Sequence, residues 1–463
     1  FFFKQKTAYE IKECDWSSDV CSSDLESQRR DVGGGACGEI RRMKLIAAPK
    51  GWSQLLMSPP ATPWAALRSA LSAGSVSTLQ TLIDAGLRGK GGGGFLTGEK
   101  WRITAASDAD ERYAVANGYE SDPAAFTNRL LLEKNAQAVV EGLAIAALAV
   151  GARHAFIAVR AEYTDAIRRL EAIIQGAERD GVFGSDLLGS GRELTMSVRP
   201  LQGSSMIGEE TVLLKALAGR RGQPEQTPPY PSTVGYLGKP TAVNNVATLA
   251  AVTWIVGNGA RAFAEIGDPA EPGTALVQVG GPLASVGVME VPTGTTLAEI
   301  VAAAGGPTKG ATIKALLVGG PSGGFVPANL LASTPYSGRG LAAVGAHIGS
   351  GALLAVDQGT AIPELAALLT RWCADEACGK TIPCRIGTRR LAEIGQRFVD
   401  GLAGPNDVQR LHALAADVAD SALCAHERLT PSPLLTGMRY FEREFVPTGV
   451  AAETSGAVAG RSE

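Results

Sequence analysis

Six glycines fall within ten positions at Gly86-Leu87-Arg88-Gly89-Lys90-Gly91-Gly92-Gly93-Gly94-Phe95, just ahead of Thr97-Gly98-Glu99-Lys100-Trp101. Consecutive glycines adopt positive φ freely and let backbone N–H groups close on an anion. Arg88, Lys90 and Lys100 add positive charge, so a phosphate-bearing ligand is the natural occupant. The run follows a helical pattern rather than a strand, so it is neither a P-loop nor a G-x-G-x-x-G turn in its usual setting. On the glycines alone, a plain flexible loop is the competing reading.

A second concentration of chemistry lies near the C-terminus. Four of the seven cysteines fall between Cys373 and Cys424, with Cys378, Thr381 and Cys384 at intervals of three. Clustered thiols without the even spread of a secreted disulfide framework suggest a metal or an iron–sulfur cluster. Plain buried cysteines are the alternative. Gly208-Glu209-Glu210 taken alone is a solvated helix start, and Asn244-Asn245 taken alone is a turn. His154, His347, His412 and His426 are scattered as ordinary surface or core residues.

The elements that must position these groups alternate. A helical pattern runs from Trp64 to Ala85 and stops at Gly86. A strand at Tyr113–Ala116, a long helix from Phe126 to Val150, a strand at His154–Arg160 and a helix from Thr164 follow, as in an α/β layered domain. Composition then shifts to short β-rich runs, ALVQVGG, VGVMEVP and IKALLVGG, with one helix at Leu297–Ala304; this reads as a small α+β domain of β-grasp character. After the strand Leu353–Val356, helices at 362–373, 389–400, 408–419 and 434–445 form a C-terminal bundle carrying the cysteines. The expected divisions are 26–63 irregular, 64–270 α/β, 271–336 β-grasp, 344–446 helical and 447–463 a disordered tail.

Phe1–Leu25 stands apart, because KQKTAYEI and DWSSDVCSSDL are what translation of common sequencing adapters yields. These residues hold three Lys against two Glu and three Asp, so the formal charge of −3 becomes −1 without them. A near-neutral chain with no basic run offers no electrostatic footprint for nucleic acid or an anionic membrane. The most apolar stretch, Ala138–Val150, is short and contains Glu141, so it reads as a buried helix rather than a membrane span.

The glycine loop closely resembles that of the NADH-binding, FMN-carrying subunit of complex I and the diaphorase subunits of soluble NAD-dependent formate dehydrogenases and hydrogenases. The likeness continues through Gly208-Glu209-Glu210-Thr211, Gly219-Arg220-Arg221-Gly222, Pro228-Pro229-Tyr230-Pro231 and Gly238–Val246. It resumes at Cys378-Gly379 and Pro383-Cys384-Arg385. It thus spans about Trp64 to Phe445 in one order. It implies an α/β flavin domain, a soluble-ligand-binding β-grasp domain and a helical iron–sulfur domain.

By that resemblance Gly89, Lys90, Gly91, Gly92 and Lys100 would hold the flavin, with Asn117, Glu120, Gly208, Glu209, Glu210, Asn244, Asn245 and Thr248 around it. Phe95, Asp122, Glu210 and Tyr230 would meet NADH, and Cys378, Cys384 and Cys424 would bind the cluster. The implied activity is hydride transfer from NADH to FMN, then single electrons to an iron–sulfur centre; no catalytic side chain is needed beyond those that position the flavin. The implied partner is a ferredoxin- or thioredoxin-like iron–sulfur subunit of a larger redox complex, with a cytoplasmic location peripheral to any membrane.

Three positions depart from the family pattern. Tyr119 replaces an acid and would narrow the pocket or stack on the ring. Ser205 stands where an aromatic precedes Gly-Glu-Glu. Thr381 stands where the C-x2-C-x2-C pattern of a [4Fe–4S] cluster requires its second thiolate. These leave open an altered cluster, and a degenerate structural or regulatory relative as the alternative function.

Overall fold

The computed structural model describes residues 44–404 and 406–445. The adapter-like stretch 1–25 and the expected tail 447–463 lie outside the described residues.

The stretch read as irregular, 26–63, is integrated into the fold over its described part. Lys44–Leu45 (β1) pairs in parallel with Gly287–Val288, and Leu55 and Leu56 are buried. The reason lies far away in sequence. The Glu290 carboxylate, fully buried, accepts the N–H groups of Leu55 at 2.6 Å, Leu56 at 2.8 Å and Met57 at 3.0 Å. A buried carboxylate needs such donors, and this segment supplies them.

The α/β domain begins with Ala65–Asp84 (α1) and Thr97–Ala106 (α2), flanking the glycine loop. Tyr113–Gly118 (β2), Thr127–Val150 (α3), His154–Arg160 (β3), Thr164–Arg179 (α4) and Thr195–Leu201 (β4) follow. Glu210–Leu217 (α5), Thr241–Asn245 (β5) and Val246–Asn258 (α6) complete it. The four strands are parallel in the order β4-β3-β2-β5. A parallel sheet is covered on both faces, and β2 is accordingly buried apart from Asn117. α4 buries Ala166, Leu170, Ile174 and Ala177, the single stripe of a surface helix.

α3 and α6 pack closely enough that a Cβ at Gly142 would sit 2.1 Å from the Leu249 carbonyl oxygen. Only glycine permits that approach. Glu141, next to it and fully buried, accepts the N–H groups of Trp64 and Leu67, each at 3.0 Å, and so caps α1 from another helix. Its burial is what the apolar reading of Ala138–Val150 anticipated, and no described helix is long and apolar enough to cross a membrane.

Gly267–Asp268 (β6) and Glu271–Pro272 (β7) form a small ladder leading into the β-grasp sheet. That sheet adds Thr274–Gly280 (β8), Gly287–Pro292 (β9), Ile313–Val318 (β10), Gly324–Pro327 (β11) and Ala352–Asp357 (β12), with helices Leu297–Ala303 (α7) and Gly338–Ala343 (α8). Its order is β1-β9-β8-β12-β10-β11. β12, expected at the head of the helical domain, is instead an inner strand, parallel to β8 and antiparallel to β10.

The C-terminal helices are Ile362–Glu376 (α9), Thr388–Val399 (α10), Asp407–Asp420 (α11), Ala425–Leu429 (α12) and Ser432–Phe445 (α13). Ile362, Leu391, Leu411 and Leu434 form their core, which continues into Leu317, Phe325 and Val356 of the sheet. The bundle is therefore seated on the β-grasp sheet.

Candidate functional site

The strand order places a topological switch at the β2–β5 pair. From β2 the chain winds outward through β3 to β4, then returns to put β5 on the other side of β2. Ligands in open α/β sheets bind beyond the carboxyl ends of strands at such a point. Asn117 and Gly118 end β2, and Asn244 and Asn245 end β5.

A cleft of about 300 Å³ opens there, lined by Gly89, Lys90, Gly92, Asn128, Asn245 and Tyr336 among others. The Lys90 backbone N–H donates to Thr248 Oγ1 at 2.9 Å, which fastens the glycine loop to the first turn of α6. Asn245 caps the same helix, accepting the Ala247 N–H at 2.8 Å, and donates through Nδ2 to Asn128 Oδ1 at 3.1 Å. A helix N-terminus beside glycine N–H groups and a lysine is a phosphate-binding arrangement. Gly92 adopts φ 92°, and a Cβ there would lie 3.2 Å from the Gly349 carbonyl oxygen, so the loop can close only as glycine. The Lys90 ammonium donates to the Thr274 carbonyl at 2.5 Å. Burial brings its pKa down to about 8, against the opposing pull of the Glu290 and Glu271 carboxylates.

Two further facts fit a bound ligand. The Tyr336 hydroxyl is buried, lines the cleft and has no hydrogen-bond partner among the described residues. Phe95 and Tyr230 are more than half exposed, although both are large and aromatic. These residues suit a phosphorylated, ring-bearing cofactor such as FMN.

Around the switch point the remaining side chains build one frame. Asn117 Nδ2 donates to the Gly208 carbonyl at 2.9 Å, docking the Gly-Glu-Glu turn on the end of β2. Lys100 Nζ lies 2.6 Å from Glu210 Oε2. Asn244 Oδ1 accepts the Trp101 indole N–H at 2.7 Å, fixing α2 against β5. Glu209 is occupied as the cap of α5, accepting from Thr211 N at 3.0 Å and Val212 N at 2.9 Å.

Two expectations are corrected here, those for Glu120 and Tyr119. Glu120 does not reach the cleft: its carboxylate caps α3, taking Asn128 N at 2.9 Å, Arg129 N at 3.3 Å, Thr127 Oγ1 at 3.1 Å and the Tyr163 hydroxyl at 3.0 Å. Burial raises its pKa, and those donors pull the other way. Asp122 accepts the Ser350 hydroxyl at 2.8 Å and so ties the α/β domain to the loop between α8 and β12. Tyr119 neither narrows the cleft nor stacks in it. Its ring packs with Met206, Ile207, Val212 and Cys424, and its hydroxyl donates to the Gly203 carbonyl at 2.8 Å. The Arg160 guanidinium lies 4.5 Å over the ring centroid. Asn128 and Tyr336 escaped the sequence reading: neither belongs to a glycine, acidic or Asn-pair motif, and Tyr336 is supplied by another domain.

The cysteines gather at that same Tyr119 core, where Cys424 is buried and Cys378 packs at its edge. Cys378 follows α9, Cys384 lies in the π-helical turn Pro383–Gly387 and Cys424 precedes α12. The thiols of Cys378 and Cys384 are in hydrogen-bond contact, which lowers the Cys378 pKa and raises that of Cys384. Burial pushes Cys424 up to about 11 and Cys373 up to about 12. Cys373 is fully buried within α9, apart from the others' loop positions. The Thr381 hydroxyl donates to Glu427 Oε1 at 2.8 Å and accepts the Cys384 N–H at 3.1 Å. His426 Nε2 bonds the Cys373 carbonyl at 2.7 Å.

Among the described residues no three His, Cys, Asp or Glu side chains converge on a single metal ion. A cubane cluster takes its protein ligands one per iron, so the donors need not share a point. Three thiols brought to one edge of the Tyr119 core suit such a cluster with its fourth position altered.

Comparison with known proteins agrees in order along the chain. Residues 82–254 match the Nuo51 FMN-binding domain, 276–326 the SLBB domain, and 364–448 the NADH-ubiquinone oxidoreductase-F iron-sulfur binding region. The HndC subunit of the NADP-reducing hydrogenase of Solidesulfovibrio fructosivorans is 39% identical over 361 residues, covering 78% of this chain and 73% of that one. The F 2 subunit of the NADH-quinone oxidoreductase of Rhizobium meliloti (strain 1021) is 34% identical over 383 residues, 82% of this chain and 91% of that one. A chain of the NAD+-reducing [NiFe]-hydrogenase, solved in the H2-reduced state, superposes with a TM-score of 0.77 at 32% identity, over 85% of this chain. This chain spans 66% of that hydrogenase chain's length.

Proposed function

The chain belongs to the family of FMN-binding, NADH-oxidising subunits found in NADH-quinone oxidoreductases, and from that premise we propose that it oxidises NADH through bound FMN and passes the electrons on through an iron–sulfur centre. The observation that carries this reading is the meeting, at the carboxyl ends of β2 and β5, of the glycine loop, the capped start of α6 and the Lys100–Glu210 pair.

The flavin, when bound, supplies the hydride acceptance and the one-electron release; the chain binds and orients it. Lys90 and the N–H groups of the loop and α6 hold its phosphate. Lys100 and Asn117 bear on the ring edge. Phe95, at the end of the glycine loop, and Tyr230 are both exposed and would present apolar faces to the nicotinamide nucleotide. Cys378, Cys384 and Cys424 hold the cluster at the Tyr119 core. The chain's relatives carry the names of subunits, which supports work within a larger redox complex. The acceptor is then an iron–sulfur subunit docked near the cysteines, and any membrane association is peripheral.

The test is an anaerobic visible spectrum of the protein, with and without NADH. A flavin band that bleaches on NADH addition is expected, over a broad residual absorbance from the cluster. No flavin band after incubation with FMN would overturn the reading.

A further inference from the structure

We propose that the Glu427 carboxylate is the fourth protein ligand of the iron–sulfur cluster, taking the place of the thiolate that Thr381 does not supply. The inference rests on the cluster being held by Cys378, Cys384 and Cys424.

Thr381 is already committed. Its hydroxyl proton points to Glu427 Oε1, and its oxygen accepts the Cys384 N–H. A threonine hydroxyl keeps its proton near neutral pH, so it serves here as a donor and not as an anionic ligand.

Glu427 is placed as the ligand would be. It lies in the first turn of α12, three positions after Cys424, the residue that caps this short helix. It is 1% exposed, and it stands against the position from which the missing thiolate would project. Its partners are neutral: the Thr381 hydroxyl and the Leu423 N–H at 3.0 Å. A buried carboxylate held by neutral donors alone is costly, and a cation beside it removes that cost. Iron accepts carboxylate oxygen as well as thiolate. In the loaded site Oε1 turns to the iron, Oε2 keeps the Leu423 N–H, and the Thr381 hydroxyl steadies the carboxylate as a supporting hydrogen bond. The ligand set is then three sulfurs and one oxygen, which makes one iron harder and more readily lost than its three neighbours.

The experiment uses the full chain, reconstituted anaerobically with iron and sulfide, and reads iron content and the low-temperature EPR spectrum. Wild type and Thr381→Val should each hold about four irons per chain, because the hydroxyl is only a support. Glu427→Gln, which preserves size and hydrogen bonding, should drop to about three and show the oxidised signal of a three-iron centre. Glu427→Cys should recover the fourth iron with a spectrum of all-thiolate type. Retention of four irons and an unaltered spectrum in Glu427→Gln would overturn the proposal, and so would iron loss in Thr381→Val as large as in Glu427→Gln. A wild-type chain that takes up no iron would overturn it too. FMN content, measured on the same samples, reports the flavin domain separately, so a failure of the flavin reading is seen apart from a failure of this one.

Discussion

Lys100 Nζ stands 2.6 Å from Glu210 Oε2, joining α2 to the first residue of α5 beside the open end of the β2–β5 pair. Both side chains keep partial exposure, so the pair is reachable by a ligand and still restrained. Lys100→Ala removes the charge-assisted donor that this helix offers the cleft. It should weaken FMN retention by about 1.5–3 kcal/mol, the span for hydrogen bonds to charged groups. A flavin titration followed by fluorescence quenching measures this. Unaltered affinity would place the flavin away from α2.

Lys90 makes a pH prediction. Its pKa in the fold is lowered to about 8 by burial. Between there and the ordinary lysine range the unfolded chain holds a proton that the folded chain has released, so this group's contribution to stability rises with pH across that window. Binding an anionic phosphate restores the charged form. FMN binding at about pH 9 should therefore take up a proton, and the affinity should fall as pH rises through 8. Calorimetric titration in two buffers of different ionisation enthalpy detects the uptake. Lys90→Met should abolish it, and a wild type with no uptake would remove Lys90 from the phosphate site.

The Tyr336 hydroxyl gives a prediction of opposite sign for fold and ligand. Because it is buried without a partner among the described residues, Tyr336→Phe should leave the thermal stability of the flavin-free chain equal or higher. An unsatisfied buried polar group costs about 1–3 kcal/mol, which its removal relieves. The same change should weaken flavin binding, since the hydroxyl lines the cleft. Equal flavin affinity in the two proteins would mean that the ligand lies beyond this residue.

Much of this was readable in the chain. Helical periodicity and apolar runs located α1, α3, β3 and the C-terminal helices, because their buried faces repeat within each element. The glycine loop was readable because its chemistry is local, whereas the Asn244-Asn245 pair, a turn on its own, entered the site only through the family resemblance. What stayed hidden depends on partners distant in sequence. Glu120 and Glu141 cap helices through side-chain directions that periodicity does not give. β1 and β12 join the β-grasp sheet through pairings with strands about 240 and about 35–75 residues away. Tyr119 sits just past the end of β2, where alternation no longer says which way a side chain turns. Glu427 is three residues from Cys424, but its meaning comes from Thr381, 46 residues earlier.

Gly92 tests the cradle directly. Its φ of 92° suits glycine, and the Gly349 carbonyl oxygen would stand 3.2 Å from an added Cβ. Gly92→Ala must both adopt a disfavoured backbone and push against the loop between α8 and β12, a cost of about 1–3 kcal/mol. Because the loop is open on its other side at Gly93 and Gly94, the chain should yield locally rather than unfold. Global stability should then hold nearly constant while flavin occupancy drops. Crystallographic or hydrogen-exchange data showing an unmoved loop with full flavin would contradict the tight approach described here.

Glu141 separates fold from function. Its carboxylate takes two buried N–H groups at the start of α1, Trp64 and Leu67. Glu141→Ala leaves both without an acceptor and should cost about 2–6 kcal/mol in urea unfolding, at roughly 1–3 per orphaned group. Glu141→Gln keeps one acceptor and should cost less. Burial raises the carboxyl pKa, while the N–H donors of Leu67 and Trp64 oppose it. The folded chain therefore holds this proton more tightly than the unfolded one, and the corresponding stability is present at low pH and lost as pH rises through the raised value. Glu141→Gln should flatten that part of the stability–pH curve, leaving the share due to Glu120, whose shift has the same sign. An unchanged slope in Glu141→Gln would show that the carboxyl is ionised as readily inside the fold as outside it.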